Sequence, residues 1–274
     1  MKINTKTLTV SLLNYNTLGT PFIAPLIKDR YRKIAEGINK SDLDIVCFQE
    51  VATYYHLSLL KQFLPNYKHV AYHKTLMGPR GALATFSKIP FDEVQYDGFS
   101  QLGTWKMYTQ LVRNGILAVK LQGVPLYILN THLITDFEYK TSSNNPFYRF
   151  VKVQAEEVAM IANRFAKEKN TVIVTGDFNM SKDDPMYKQF LKTTKAEDLF
   201  NKHHFPTYYN DRLMKHFNAA RSVRIDYIFL LNRYGTITVK SIEHAFTDKV
   251  KINENTHDYL SDHIGLRTKF IFRQ

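Results

Sequence analysis

The sequence predicts a layered α/β domain, with sheets inside and helices outside. Three observations lead there. Short continuous runs of Val, Ile, Leu and Phe recur along the chain and read as strands buried on both faces. Other segments carry apolar residues at helical spacing. No internal repeat, low-complexity tract or Pro/Gly/Ser-rich linker interrupts the 274 residues, so 1–274 is expected to form a single domain.

The elements follow in order. Leu8–Leu13 is the first strand-like run. Ile27, Tyr31, Ile34 and Ile38, spaced four, three and four apart, share one helical face. Strand-like runs return at Asp44–Phe48, Ala82–Phe86, Ile116–Leu121 and Leu126–Asn130. Val151, Val158, Ile161 and Phe165 mark a longer helix that ends at the polar Lys167–Asn170. Thr171–Thr175 is another strand, and Asp184-Pro185 reads as an N-cap with proline at the first helical position, starting a helix to about Leu191. Ile225–Leu231, Thr236–Ser241 and Ile264–Phe272 complete the strands. Two stretches fit no element. Asp136–Pro146 is polar, and Asn201–Arg224 carries Lys202, Arg212, Lys215, Arg221, Arg224 and three histidines against one acid, Asp211. Long loops in compact domains are usually functional or disordered.

Composition narrows the function. Cys47 is the only cysteine, which excludes an internal disulfide and a multi-cysteine zinc site. No apolar run approaches the ~18–20 residues that span a bilayer. The start, Met1-Lys2-Ile3-Asn4-Thr5-Lys6, lacks the pattern of a secretory signal, so the expected location is the cytoplasm or the membrane periphery, with specialised export left open. The formal charge of +12 suits nucleic acid, an anionic membrane or phosphorylated small molecules, or is a solvated surface with no particular partner.

Polar residues recur at strand ends. Asn16 follows the first run, and Gln49-Glu50 ends the second. Asn130-Thr131-His132 ends Leu-Tyr-Ile-Leu, and Gly176-Asp177-Phe178-Asn179 ends Thr-Val-Ile-Val-Thr. Asp226 opens a strand, and Ser261-Asp262-His263 opens the last one. Taken singly, Glu50 could cap a helix, Asp177 and Asn179 could turn the chain, and His132 could be structural. Together they match the way α/β proteins assemble sites from loops at one sheet edge. Glu50, Asp226, Asp262, Asp177, Asn16 and Asn179 offer hard oxygen atoms, which suit Mg²⁺ or Mn²⁺. His132 and His263 add groups that exchange protons near neutral pH. A hard cation, carboxylates and two imidazoles make a toolkit for phosphoester hydrolysis.

The ordered set Tyr15-Asn16-Thr17-Leu18-Gly19, Phe48-Gln49-Glu50-Val51, Asn130-Thr131-His132-Leu133, Gly176-Asp177-Phe178-Asn179, Arg224-Ile225-Asp226-Tyr227 and Leu260-Ser261-Asp262-His263 resembles the endonuclease/exonuclease/phosphatase superfamily. That resemblance implies the deoxyribonuclease-I-like four-layer α/β/β/α sandwich. Within the superfamily the chain looks most similar to the neutral sphingomyelinases, through Asn16-Thr17-Leu18-Gly19-Thr20-Pro21, Asp29-Arg30, Phe86-Ser87-Lys88-Ile89-Pro90 and Val223-Arg224-Ile225-Asp226-Tyr227. Leu18 stands where nuclease members often carry an Asp, and Asn114 stands before Gly115 where many sphingomyelinases have a Lys.

The resemblance also implies roles. Glu50 would be the principal Mg²⁺ ligand, with Mn²⁺ able to substitute, Asn16 beside it and Asp262 supporting the metal. His263 would be the general base, oriented by Asp226. Asp177 and Asn179 would position phosphate and nucleophile, and His132 would stabilise phosphate charge or the departing oxygen. The expected reaction is in-line attack of water on a phosphodiester. Arg221, Arg224 and Lys215 are expected to line the substrate side, or to belong to a solvated loop, with a structural role beside the strand start as the alternative for Arg224. Trp105, the only tryptophan, sits among interleaved apolar and basic residues and suits either a membrane interface or the core. The expected partner is a phospholipid or sphingolipid surface and the expected activity a lipid head-group phosphodiesterase. A DNA or RNA nuclease and an inositol-phosphate or phosphoinositide phosphatase are the alternatives. A non-enzymatic binding module is disfavoured, because every motif position keeps a competent side chain.

Overall fold

A computed structural model describes residues 7–21, 23–103, 112–135, 146–167, 169–213 and 222–273. Two six-stranded sheets pack face to face. One has the order β11-β14-β1-β2-β4-β3 and the other β5-β6-β7-β8-β10-β9. The first sheet is built from β1 (Thr7–Asn16), β2 (Ile45–Gln49), β3 (His69–Ala71), β4 (Ala84–Ser87), β11 (Ile237–Ala245) and β14 (Gly265–Arg273). The second comprises β5 (Phe91–Gly98), β6 (Gly115–Leu121), β7 (Leu126–His132), β8 (Thr171–Asp177), β9 (Glu197–Asp198) and β10 (Asp226–Leu231). A small hairpin, β12 (Val250–Asn253) and β13 (Thr256–Asp258), lies outside both.

The continuous apolar runs are explained by burial on both faces. In β1, Val10 and Leu12 point into the core between the sheets, with Ile128, Ile173 and Ile228 from the other sheet. Leu13 and Tyr15 point outward, under the helices α1 (Ile27–Asn39) and α2 (Tyr54–Phe63). Tyr31, Ile34 and Ile38 form the buried face of α1, as their spacing predicts. The second sheet is covered by α3 (Pro146–Phe165) and α4 (Pro185–Thr194), through Val151, Ala155 and Val158 against Val172, Val174 and Phe229. The result is the four-layer α/β/β/α sandwich.

Two departures from the sequence reading have clear causes. Helix α2 is not among the three expected helices. It begins with two tyrosines and is apolar on most sides, which blurs its period, yet the Thr53 hydroxyl accepts from the His56 amide at 3.2 Å and caps it. Strand β5 is likewise absent from the expected strands, because it is an edge strand exposing Asp92, Glu93 and Val94. Helix α4 does start at Pro185, but the Asp184 side chain makes no cap bond and turns back to the Ser181 amide. The 104–111, 136–145 and 214–221 segments, with Trp105, Lys215 and Arg221, lie outside the described residues. Among the described residues, no helix is long and apolar enough to cross a membrane.

The topology brings the candidate residues to one end of the sandwich. β1 and β2 run parallel, so Asn16 and Glu50 leave the sheet together. β7 and β8 also run parallel, with His132 beside Asp177. β10 runs against β8, placing Asp226 opposite Asp177, and β14 runs against β1, so its start lies at the same edge. Gly176 is required in this register, because a Cβ there would meet the Thr131 carbonyl at 1.9 Å.

Helix α2 carries a buried imidazole that titrates out of its normal range. Burial, then the Arg30 charge, push the His56 pKa down to about 4, against a weaker opposing effect of Glu50. A depressed histidine pKa means that the unfolded chain binds the proton first. Stability from neutral His56 is therefore present above about pH 6.5 and is lost as pH falls toward about 4. His56→Phe is expected to remove this component, of order 3 kcal/mol at about 1.4 kcal/mol per unit. Urea midpoints of both proteins across that window test it: a constant difference would show that His56 does not titrate there.

Candidate active site

At the shared edge, Asp177 lies between two imidazoles. Its Oδ2 is 3.5 Å from His132 Nε2 and 3.7 Å from His263 Nε2. The same oxygen accepts from Asn16 Nδ2 at 3.0 Å, and Oδ1 accepts from the Asn179 amide at 3.0 Å. His263 Nδ1 and Asp226 Oδ2 are 2.8 Å apart, which directs an Nδ1–H at the carboxylate and leaves Nε2 facing Asp177. One ligand atom each from Asp177, Asp226 and His263 falls within a 4.8 Å group.

Each of these side chains is held from behind. Asp226 is fully buried at the start of β10, and its backbone amide donates to Thr207 Oγ1 at 3.0 Å, as does that of Ile225. His263 is held through its amide by Ser261 Oγ, which itself donates to the Asn16 carbonyl at 2.8 Å. Tyr208 packs edge-on against the His263 ring, and Tyr208 bridges to both Val223 and His263. Asn179 Nδ2 donates to the Leu133 carbonyl, and Asn114 Nδ2 to the carbonyl of His132 at 2.9 Å. Thr207 and Asn114 thus hold the backbone at Asp226 and His132. No local pattern marks Thr207, which sits in a stretch that reads as loop.

Glu50 stands at the rim of the group. Its Oε1 accepts from Asn16 Nδ2 at 3.0 Å, and its Oε2 accepts from the Gly19 amide and the Thr20 hydroxyl. Gly19 can approach this closely because it lacks a Cβ, which would lie 1.9 Å from the Glu50 carbonyl. Asn16 thus bridges Glu50 and Asp177 through its amide, with its oxygen turned to the Leu18 amide. Leu18, Glu50 and Asn179 all have positive φ, a conformation that costs about 1–3 kcal/mol for such residues and that concentrates at functional sites.

The charges are mutually perturbed. Burial, and next the Asp226 charge, raise the Asp177 pKa. Burial is also the largest influence on Asp262, whose pKa stands at about 6, with Glu50 adding to the rise against the opposing effect of His263. At Glu50 burial acts upward, but His132, Asn16, His263 and Thr20 outweigh it and hold the carboxyl below its usual range. Burial alone would depress His263, yet Asp226, Asp177 and Asp262 drive its pKa well above that of a free histidine. The buried ligand atoms of Asp177, Asp226 and His263, all within 4.8 Å of one another, are a donor set that a divalent cation can satisfy. The residues present therefore fit a hard metal ion.

One expected substrate contact is corrected. Arg224 does not line the site. It is buried, forms a two-armed ion pair with Asp198 and lies over the Tyr227 ring. Arg212 is likewise engaged, between the rings of Tyr209 and Tyr259.

This arrangement of carboxylates and imidazoles on a two-sheet sandwich defines a class that the comparisons establish. The model of the Endonuclease/Exonuclease/phosphatase family matches residues 13–263, and the chain belongs to that family. Among curated proteins, it is similar to sphingomyelin phosphodiesterase 2 of Homo sapiens, with 26% identity over 189 residues. That match covers 65% of this chain but 42% of the human protein, so the chain spans less than half of that relative. Among solved structures, SmcL superposes with a TM-score of 0.76 at 18% identity, over 97% of this chain and 99% of that one. A beta toxin variant from Staphylococcus aureus with bound magnesium ions superposes with a TM-score of 0.70 at 15% identity, covering 97% of this chain and 100% of the toxin. At these identities the two structures speak for the fold.

The buried Arg224–Asp198 pair generates a test. Arg224→Met leaves Asp198 unpaired and is expected to destabilise the protein by roughly 3–5 kcal/mol. The fraction that stays folded is expected to keep its KM. A raised KM with unchanged stability would return Arg224 to the substrate side.

Proposed function

We propose that the protein is a divalent-metal-dependent phosphodiesterase that hydrolyses the phosphodiester of a lipid head group, in the manner of a neutral sphingomyelinase. The observation that carries the reading is the pair of imidazoles on either side of Asp177, with Asp226 2.8 Å behind His263. Likeness to sphingomyelin phosphodiesterase 2 supports the lipid substrate, and the magnesium-bound beta toxin supports the metal.

The residues divide the work as follows. Glu50 and Asp262 would hold Mg²⁺ or Mn²⁺, with Asn16 fixing the Glu50 carboxylate. When bound, the ion supplies positive charge that neutralises the phosphate and offsets the carboxylates that otherwise keep His263 protonated. Neutral His263 takes a proton at Nε2 from a water whose oxygen attacks phosphorus, while Asp226 accepts the Nδ1–H bond and stabilises the resulting imidazolium. Asp177 and Asn179 orient the water and phosphate. His132, on the other side of Asp177, can place a proton on the departing oxygen as its bond to phosphorus breaks.

A panel of sphingomyelin, lysophospholipids, phosphoinositides, DNA and RNA, assayed with Mg²⁺ and with chelator, tests substrate and metal together. Hydrolysis of a lipid diester that stops in chelator is expected, and Glu50→Gln should lose most activity while folding normally. Preference for DNA or RNA would make the protein a nuclease, and full activity in chelator would remove the metal. For the proton machinery, His263→Ala and Asp226→Asn should each cost about 10²-fold or more in kcat. Because the two act as one unit, the double variant should be little worse than the poorer single one, whereas multiplicative losses would show that they work independently.

A further inference from the structure

The rim beside Glu50 carries a set of exposed apolar side chains among the described residues. Three connections end there. The β1–α1 connection follows Asn16, and the β2–α2 connection follows Gln49. The β3–β4 connection reaches the same edge, because β4 runs against β2 with Ala84 opposite Phe48, and Ala71 of β3 lies opposite Thr85. Here large apolar side chains face water: Ile23 and Leu26 on the first connection, Tyr54 and Tyr55 in the first turn of α2, Leu76 and Met77 on the third connection. Leu76 is 97% exposed and Met77 63%, so the fold gains almost nothing from the first and little from the second.

These side chains are presented on rigid backbone. Leu76 and Met77 occupy the tip of a tight turn closed by Thr75 N–H to the Gly78 carbonyl at 3.0 Å. The turn is seated on α2, where the Tyr54 amide donates to Met77 O and the Tyr54 hydroxyl to Thr75 O. Leu26 is held in the left-handed region at φ 50, an unfavourable conformation for a branched residue, with Arg30 bonded to the adjoining Pro25 carbonyl. Thr20, whose hydroxyl holds Glu50, accepts from the amides of Ile23 and Ala24 and so joins this rim to the site.

Charge selects the occupant. From Val51 to Phe91 the chain has no Asp or Glu, and neither does Thr17–Lys28. Lys28, Lys61 and Lys74 on these segments are exposed. Asp29, which follows Lys28, is engaged by Arg32 and Asn253. Apolar tips on a lysine-bearing surface suit the interface of an anionic bilayer, where apolar groups enter the acyl boundary and lysines meet the head groups. We propose that Ile23, Leu26, Tyr54, Tyr55, Leu76 and Met77 form a membrane-docking face that seats the protein on an anionic lipid surface with Glu50 at its edge. The inference deepens the lipid reading of the site and rests on it.

The test uses the full chain and vesicles of phosphatidylcholine with and without phosphatidylserine. Co-sedimentation is expected with the anionic vesicles, weakening as salt is raised. Leu76→Glu combined with Met77→Glu, at largely exposed positions, should reduce vesicle binding by about tenfold or more, while hydrolysis of the soluble bis(4-nitrophenyl) phosphate stays unchanged. The proposal is overturned if the native chain does not bind anionic vesicles, or if the double variant binds them equally well. It is also overturned if the native chain is a dimer in solution that the double variant dissolves, since the face is then a self-association surface. Vesicle binding that the variant abolishes, with no lipid cleaved, would leave the docking face standing and remove the lipid substrate. Lipid cleavage and vesicle binding unaffected by the variant would do the reverse.

Discussion

The hydrogen bond from Asn16 Nδ2 to Asp177 Oδ2, at 3.0 Å, crosses from one sheet to the other, and the site is organised around it. Residues 161 positions apart are brought together at the point where two buried strands end. A polar seam continues beneath it. Gln49 donates to Asn14 and, at 2.7 Å, to Asn130, which in turn donates to the Phe48 carbonyl. Buried amides are costly unless paired, so this seam permits few relative positions of the two sheets. Apolar packing between sheets tolerates sliding better than a chain of directional bonds does. The seam thus sets the register in which His132 and His263 fall on either side of Asp177.

A buried cation supports the rim in a similar way. Arg30 is inaccessible to solvent and has no carboxylate partner among its hydrogen bonds. Its guanidinium donates to the carbonyls of Thr17, Leu18, Pro25 and Leu260. Those carbonyls belong to the connections that follow Asn16 and precede Asp262. Burial depresses the Arg30 pKa, yet the carbonyl oxygens and nearby acids keep the charge tolerable. The guanidinium therefore does locally what a stretch of regular secondary structure would do, tying two loop segments to α1.

The concentration of acid groups has an energetic cost that the fold carries for its chemistry. Asp177 and Asp262 are both pushed above the normal carboxylate range, chiefly by burial. Several site residues also sit at positive φ. Stability lost here is offset by the apolar layers on both faces of each sheet.

How much was legible in the sequence follows from how far each interaction reaches along the chain. The runs of Val, Ile, Leu and Phe determined the buried strands, and the spacing from Ile27 to Ile38 determined the face of α1, because both depend on neighbouring residues alone. The polar residues after those runs, from Asn16 and Glu50 to Asp262 and His263, were visible for the same reason. Helix α2 and edge strand β5 were not, since their apolar patterns are blurred and only their packing makes them regular. The tertiary structure also decided which partner each polar group takes. It turned Arg224 away from the site onto Asp198, placed Thr207 behind Asp226, and bonded Arg30 to Leu260, 230 residues away. A local pattern records which face of an element is apolar. The partner of a buried charge is set by long-range topology, and there the three-dimensional packing alone decides.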